Sequence, residues 1–194
     1  MNGKSPSFNT TDESGATLIE LLFTLLLIVL IFFSLSPLYR SLEESLTLEI
    51  AKFHLKQDLQ MAKNLASLEE RSITLCGSRD GYQCLDEEER SWPGWLLFYD
   101  DMQQFTPSQE SILHYYPLFE KSNQKLILTT TANIGGGLNI SARREYAYGM
   151  ARSIANGRIN ICRQGDHNAS FDSYPSFIIN VYGYFRLTSE KGSC

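Results

Sequence analysis

The chain has 194 residues and a mass of 22.0 kDa, enough for one domain of ordinary size, or for one domain with an appendage. Hydrophobic residues make up 43% and charged residues 20%, which excludes a chain disordered throughout. A formal net charge of −5 argues against a general polyanion-binding protein, and no period or biased tract places the chain among repeat, collagen-like or low-complexity proteins.

Residues 1–15 carry Lys4 against Asp12 and Glu13, a net charge of −1. Residues 21–39 then form a run of 19 without a charge. At about 1.5 Å per residue such a helix is about 28 Å long, close to the hydrocarbon core of a bilayer. A cleaved secretory signal peptide fits poorly. It needs a basic start, an apolar stretch of about 7–15 residues and a small-x-small cleavage site, whereas the run here is longer and Ser34-Leu35-Ser36 is a poor site. A retained membrane helix with the C-terminal bulk exported fits better. Glu20 stands at the edge of the run. A carboxylate inside a membrane costs about 2.5–3.5 kcal/mol on insertion scales, so it needs a partner.

The stretch Ser14-Gly15-Ala16-Thr17-Leu18-Ile19-Glu20-Leu21-Leu22 resembles the processing signal of type IV prepilins. That signal is a Gly at the cut, then an apolar stretch with Glu as the fifth mature residue. Pro37, 22 residues past Gly15, matches the proline that kinks pilin helices. Ala16 stands where that family usually has Phe or Met, and the leader lacks the usual basic excess. The resemblance implies a leader over 1–15, cleavage after Gly15 by a prepilin peptidase and N-methylation of Ala16. It also implies that Glu20 neutralises the new ammonium of a neighbouring subunit in a filament core. An ordinary signal anchor is the competing reading.

Residues 40–68 contain no Gly or Pro, and Leu48, Leu55, Leu59, Ala62 and Ala66 recur on one helix face. Glu43, Glu44, Lys52, Lys56 and Lys63 lie mostly off that face. The pattern predicts one long helix over 16–68, bent by Pro37, whose apolar stripe packs on a sheet. Residues 16–39 are its membrane or filament-core half, 40–71 its exported half, and 72–194 a β-rich head. Past Arg71 short β-type runs fall near 72–76, 94–99, 112–116, 125–131, 158–162, 176–182 and 184–188. Turn-rich stretches separate them, including Gly77-Ser78-Arg79-Asp80-Gly81 and Gly165-Asp166-His167-Asn168. Gly135-Gly136-Gly137 lacks a Lys and a following helix, so it reads as a flexible loop, and residues 142–155 show no readable pattern. No helices alternate with these runs, so antiparallel pairing and an α+β layout are expected.

Four cysteines, Cys76, Cys84, Cys162 and Cys194, suggest two disulfides in an exported domain. Three pairings are open. Cys76 and Cys84 flank a Gly-rich loop, which suits a local bridge and would leave Cys162 with Cys194. Zinc fits poorly, because no Cys-x-x-Cys occurs and the three His residues are scattered. Three features in order are similar to the H-type pseudopilins, which include FimT/FimU-type minor pilins. They are Ser72-Ile73-Thr74-Leu75-Cys76 with its loop to Cys84, then Trp92-Pro93-Gly94-Trp95-Leu96-Leu97-Phe98-Tyr99-Asp100, then Asn156-Gly157-Arg158-Ile159-Asn160-Ile161-Cys162 before a final hairpin and a late Cys. This resemblance implies the type IV pilin fold, one long N-terminal helix packed on an antiparallel β-sheet. It implies a minor subunit of a type IV pilus, single-pass in the bacterial inner membrane with a periplasmic head and later in the pilus, without a cofactor. Its partners would be other pilins, the prepilin peptidase and the inner membrane. An H-type subunit of a type II secretion pseudopilus is the alternative. Trp92, Trp95 and Phe98 read as core packing on a strand.

Enzyme signatures are missing from the sequence: there is no Gly-x-Ser-x-Gly, no His-Glu-x-x-His and no phosphate loop. Asp100-Asp101 reads as a solvated strand end, and His54 as a surface or packing residue. Charge is unevenly placed: residues 40–142 hold nine basic and fifteen acidic residues, and residues 143–194 hold seven and four. Arg143, Arg144, Arg152, Arg158, Arg163, Arg186 and Lys191 make the C-terminal part mildly basic, a face that can neutralise DNA phosphates. FimT-type proteins bind DNA through a C-terminal Gly-Arg-x-Arg motif. Here Gly183 and Arg186 match it, but Tyr184 replaces the first Arg. DNA is therefore a partner considered but not favoured, with Arg186, Arg163 and Lys191 as its candidate contacts. Tyr182, Tyr184 and Phe185 could stack bases, but packing within a hairpin is the favoured role for them.

Overall fold

In the computed structural model, residues 17–122, 126–141, 146–164 and 174–188 are described, without the side chains of 35–38, 40, 41 and 44. A 51-residue helix, α1 (Leu18–Leu68), opens the fold, ending where the periodicity ends. Glu70 follows in a left-handed conformation, φ 54°, the usual way to turn a chain off a helix terminus. The chain divides into two compact units, Met1–Glu43 and Glu44–Cys194.

In the first unit, the large apolar residues of 18–33 are all 41–80% exposed. The hydroxyls in this stretch are satisfied by the helix itself: Thr24 Oγ1 donates to the Leu21 carbonyl and Ser34 Oγ to that of Leu30. Among the described residues no helix is long and apolar enough to cross a membrane. The uncharged sequence runs on through 35–38, whose side chains lie outside the described set.

The second unit is a helix on antiparallel sheets. Its strands are β1 (Ile73–Gly77), β2 (Ser91–Trp92), β3 (Trp95–Tyr99), β4 (Ile112–Tyr116), β5 (Leu126–Thr130), β6 (Gly137–Ile140), β7 (Tyr148–Gly149), β8 (Gly157–Arg163), β9 (Ser176–Ile179) and β10 (Phe185–Thr188), and a short helix, α2 (Leu118–Lys121), precedes β5. They form two five-stranded sheets, β4-β3-β1-β6-β7 and β10-β9-β8-β5-β2, in which every pairing is antiparallel. All seven expected strands are present, 112–116 with the expected bounds and the others with shifted ends. The 176–182 run stops at Ile179, because Asn180 turns the chain there: its Oδ1 accepts from the Tyr182 and Tyr184 amides. β2, β6 and β7 were not anticipated. They hold two, four and two residues, too few for a period to register.

The expected helix stripe is the core. Ala51, Leu55, Leu59, Ala62 and Ala66 are buried, with Leu48 at the margin. They pack with Ile73, Leu75, Trp95 and Leu97 of the first sheet and with Leu128, Ile159, Ile161 and Phe177 of the second. Neighbouring residues on β1 and β3 face the other way. Cys76, Leu96 and Phe98 form a second cluster with Cys84, Ile112 and Tyr115. That is why β1 is buried along its whole length while β5 alternates.

Two expectations are corrected. Gly135-Gly136-Gly137 is a buried junction, not a flexible loop. The Gly135 carbonyl accepts from Trp92 Nε1 at 3.2 Å and Thr130 Oγ1 at 2.7 Å, and Gly136 O accepts from the Gly77 amide. Gly135 has φ +58°, and a Cβ on it would lie 2.7 Å from the Glu87 carbonyl oxygen, so only glycine fits. Likewise Asp100 is not a solvated strand end. It is 7% exposed, and its carboxylate accepts from Thr74 Oγ1 and from the Gln104 and Phe105 amides. Asp101 pairs with Arg71 at 2.9 Å.

Because the stripe is the core, Leu59→Ala should cost about 2–5 kcal/mol in denaturant unfolding. Lys56→Ala, on the exposed face, should stay within about 0.5 kcal/mol.

Candidate functional site

The helix meets the first sheet through a buried carboxylate. Asp58 lies on the apolar stripe between Leu55 and Leu59 and is 5% exposed. Trp95 Nε1 donates to its Oδ2 at 2.6 Å, and His114 Nδ1 lies 3.0 Å from the same oxygen. Trp95 and Tyr116 are cross-strand partners, and their rings stack at 4.5 Å. His54 packs on Tyr116 at 4.6 Å, one of the two roles, surface or packing, expected of it, and Lys121 Nζ sits 4.6 Å from the same ring's centroid. Burial, then the charge of Asp58, raises the Tyr116 phenol above its ordinary pKa. Sequence reasoning missed Asp58 and His114. The only signal was a lone acid at a position the helical period assigns to the core.

Further along α1, Lys63 reaches the C-terminal hairpin. Its Nζ donates to the Tyr182 carbonyl at 2.8 Å and lies 3.5 Å from the Tyr184 ring centroid, and partial burial lowers its pKa. Tyr182 stacks on Tyr146 at 5.8 Å. Phe185 packs at the core margin near Phe177, so of the three aromatics only Tyr182 and Tyr184 are well exposed, at 52% and 60%. The cross-strand rows put Arg158, Ile178 and Arg186 in register. Arg163 shares strand parity with buried Ile159 and Ile161, so it falls on the face opposite Arg186. Lys191, Arg143, Arg144 and the turn at 165–168 lie outside the described residues.

Glu20 is exposed in the first turn of α1, its amide bonded to the Thr17 carbonyl at 3.0 Å. Gly15 and Ala16 lie outside the described residues, as does the side chain of Pro37, through whose position α1 continues. Cys76 and Cys84 form a disulfide. Cys162 is also disulfide-bonded, and Cys194 lies outside the described residues. The Cys76–Cys84 loop is held by Asp80, whose carboxylate accepts from the Tyr82 and Gln83 amides. These bonds hold its pKa below the usual carboxylate range. Among the described residues no three His, Cys, Asp or Glu side chains converge to hold a metal. The features above are joints between elements and exposed surfaces.

In a comparison of folds, the chain is similar to the type IV minor pilin FimU of Pseudomonas aeruginosa strain PAO1. Against the P21 crystal form the TM-score is 0.50 at 17% identity, covering 78% of this chain and 95% of that one. Against the P65 form it is 0.48 at 16%, covering 76% and 97%. The P21 likeness shows that the fold is the pilin fold: an N-terminal helix packed on antiparallel sheet. No protein-family profile matches the chain, and no curated protein matches it in sequence.

Asp58→Ala leaves the Trp95 indole N–H buried without an acceptor and should cost about 1–3 kcal/mol, read from tryptophan emission during denaturation. Asp58→Asn keeps an acceptor oxygen and should cost less. Asp80 has a lowered pKa, so its support is present above the ordinary carboxylate pKa and is lost as pH falls through the lowered one. Amide exchange at Tyr82 and Gln83, corrected for its intrinsic pH dependence, should quicken over that acid range, and Asp80→Asn should flatten the change.

Proposed function

We propose that the chain is a minor subunit of a type IV pilus-like filament, working through contacts between subunits and without chemistry of its own. One observation carries the reading. A chain with the pilin fold carries a helix, α1, whose apolar residues over 18–33 are exposed on every side, with Glu20 as the sole charge of that stretch. A helix apolar all round needs lipid or other helices around it, and a filament core supplies the second after a membrane has supplied the first.

In this reading residues 1–15 are a leader, a prepilin peptidase cuts after Gly15, and Ala16 becomes an N-methylated terminus. Before assembly, the uncharged residues 21–39 hold the subunit in the inner membrane with the head in the periplasm. Glu20 then meets the terminal ammonium of a neighbouring subunit in a setting of low dielectric, where an unpaired carboxylate is costly. Pro37 lets the helix bend between its two parts. The pseudopilus of a type II secretion system would use the same physics, and the genetic neighbourhood of the chain separates the two.

Produced with a prepilin peptidase, the chain should yield an N-terminus at Ala16 by intact mass, about 1.6 kDa lighter on a mean residue mass near 110 Da, and Gly15→Leu should abolish the cut. Retention of residues 1–15 in the processed cell would sink the reading. Glu20→Ala should leave cleavage intact and lower the amount recovered in sheared filaments at least about tenfold.

A further inference from the structure

We propose that a cleft over the glycine run Gly135-Gly136-Gly137 is a binding site for neutral carbohydrate. The site belongs to the head and stands whether or not the chain enters filaments.

Three loops, those after β1, β3 and β7, converge on that run, and glycine is what lets each come so close. A Cβ on Gly135 would lie 2.7 Å from the Glu87 carbonyl oxygen. One on Gly136 would lie 2.5 Å from that of Asp86 and 2.8 Å from Met150 Sδ, and one on Gly137 2.8 Å from the Phe105 ring. Two hollows of about 560 and 350 Å³ open where the loops meet, sharing Gln103, Phe105 and Arg152 in their walls. Sites for small ligands enclose about 300–1,000 Å³.

The same three residues are three of the four non-glycine residues with left-handed backbone among the described ones, at φ 54°, 56° and 54°. That conformation is unfavourable for a residue with a Cβ, and most of all for a bulky one such as phenylalanine. Hydrogen bonds impose it. The buried Asp100 carboxylate accepts from the Gln104 and Phe105 amides, and the Asp100 carbonyl from the Gln103 amide. The Gly149 carbonyl accepts from the Arg152 amide. The backbone under the wall is thereby set before any ligand arrives, and strain held in this way gathers at binding sites.

The chemistry of the wall selects the ligand. Asp86 and Glu87 offer acceptors, Arg152 offers donors and Gln103 offers both. The Arg152 guanidinium and the Gln103 amide group have no partner among the described residues. Two carboxylates beside one guanidinium leave no excess positive charge for a phosphate or sulfate, and among the described residues no three acidic, His or Cys groups converge for a metal. An apolar ligand would strip water from these groups and leave them unpaired. A neutral ligand dense in hydroxyls answers all of them, and the partly buried rings of Phe105 and Tyr148 in the second hollow are there for its C–H faces. A peptide strand fits less well, because the chain itself occupies the outer edge of β7: the Gly149 amide donates to the Ser153 carbonyl, and Tyr148 bridges to Ile154.

The test titrates the full-length chain, in a sugar-free phosphocholine detergent, with labelled neutral trisaccharides of glucose, galactose and N-acetylglucosamine. A sulfated trisaccharide and a mixture of neutral decapeptides serve as comparisons. At least one neutral trisaccharide should bind saturably with a Kd of about 1 mM or tighter, and the comparisons at least about tenfold more weakly. Asparagine tolerates left-handed backbone, so Gln103→Asn and Arg152→Asn shorten the wall without adding strain. Each should weaken binding at least about tenfold, while Lys56→Ala on the exposed face of α1 leaves it unchanged. No binding of any neutral trisaccharide, equal binding of the sulfated one, or unaltered binding in either asparagine variant overturns the proposal. Decapeptides bound in place of sugars, and lost in the same variants, overturn it in favour of a peptide site.

Discussion

The packing of one helical stripe organises the head. From Ala51 to Ala66 the apolar positions facing the sheets are Ala51, Leu55, Leu59, Ala62 and Ala66, so the helix backbone comes close to the sheets at the alanines while the two leucines fill the gap between the sheets. Both sheets send their apolar faces to that stripe, and a helix wider or polar on that side would leave each of them half-solvated. The cost of a buried carboxylate in the middle of the stripe is offset by good geometry: a short bond from an indole and a ring nitrogen at the same oxygen. A leucine at that place would leave the buried Trp95 indole N–H without an acceptor. Asp58 fixes which turn of α1 faces Trp95.

Further joints of the same character set the rest. Asp100 gathers Thr74, Gln104 and Phe105 at the end of β3. Lys63 holds the C-terminal hairpin through a carbonyl and an aromatic ring. The Gly135 carbonyl takes Trp92 and Thr130. Each joins elements distant in sequence through groups that a linear reading assigns to solvent or to loops. The sheets supply area, and these joints supply register.

This explains what the sequence could and could not disclose. The helix and its buried face were legible because a 3.6-residue period repeats over several turns. The longer strands were legible because β-branched and aromatic runs are bounded by turn residues. Two-residue strands such as β2 and β7 carry no period and exist only because a neighbouring strand offers them partners. Asp58 carried no reading and Asp100 read as a solvated strand end because their partners are contributed by other elements, Trp95 lying 37 residues from Asp58 and Thr74 lying 26 from Asp100. The glycine run read as loose because its tightness comes from the backbone of residues 85–87 pressing on it. The likeness in fold to a minor pilin was legible through Glu20 and the cysteine and tryptophan pattern, which are short-range signals.

The chain divides between Glu43 and Glu44, and the division separates two kinds of side-chain surroundings. Every side chain of the main core comes from Ala51 or later, and none comes from the apolar stretch at 18–33. The core of the head is therefore complete without any side chain of 18–33. Substitutions at 18–33 can accumulate without a stability penalty in that core. Unfolding of the head by heat or denaturant should report nothing about whether the first part has found its place.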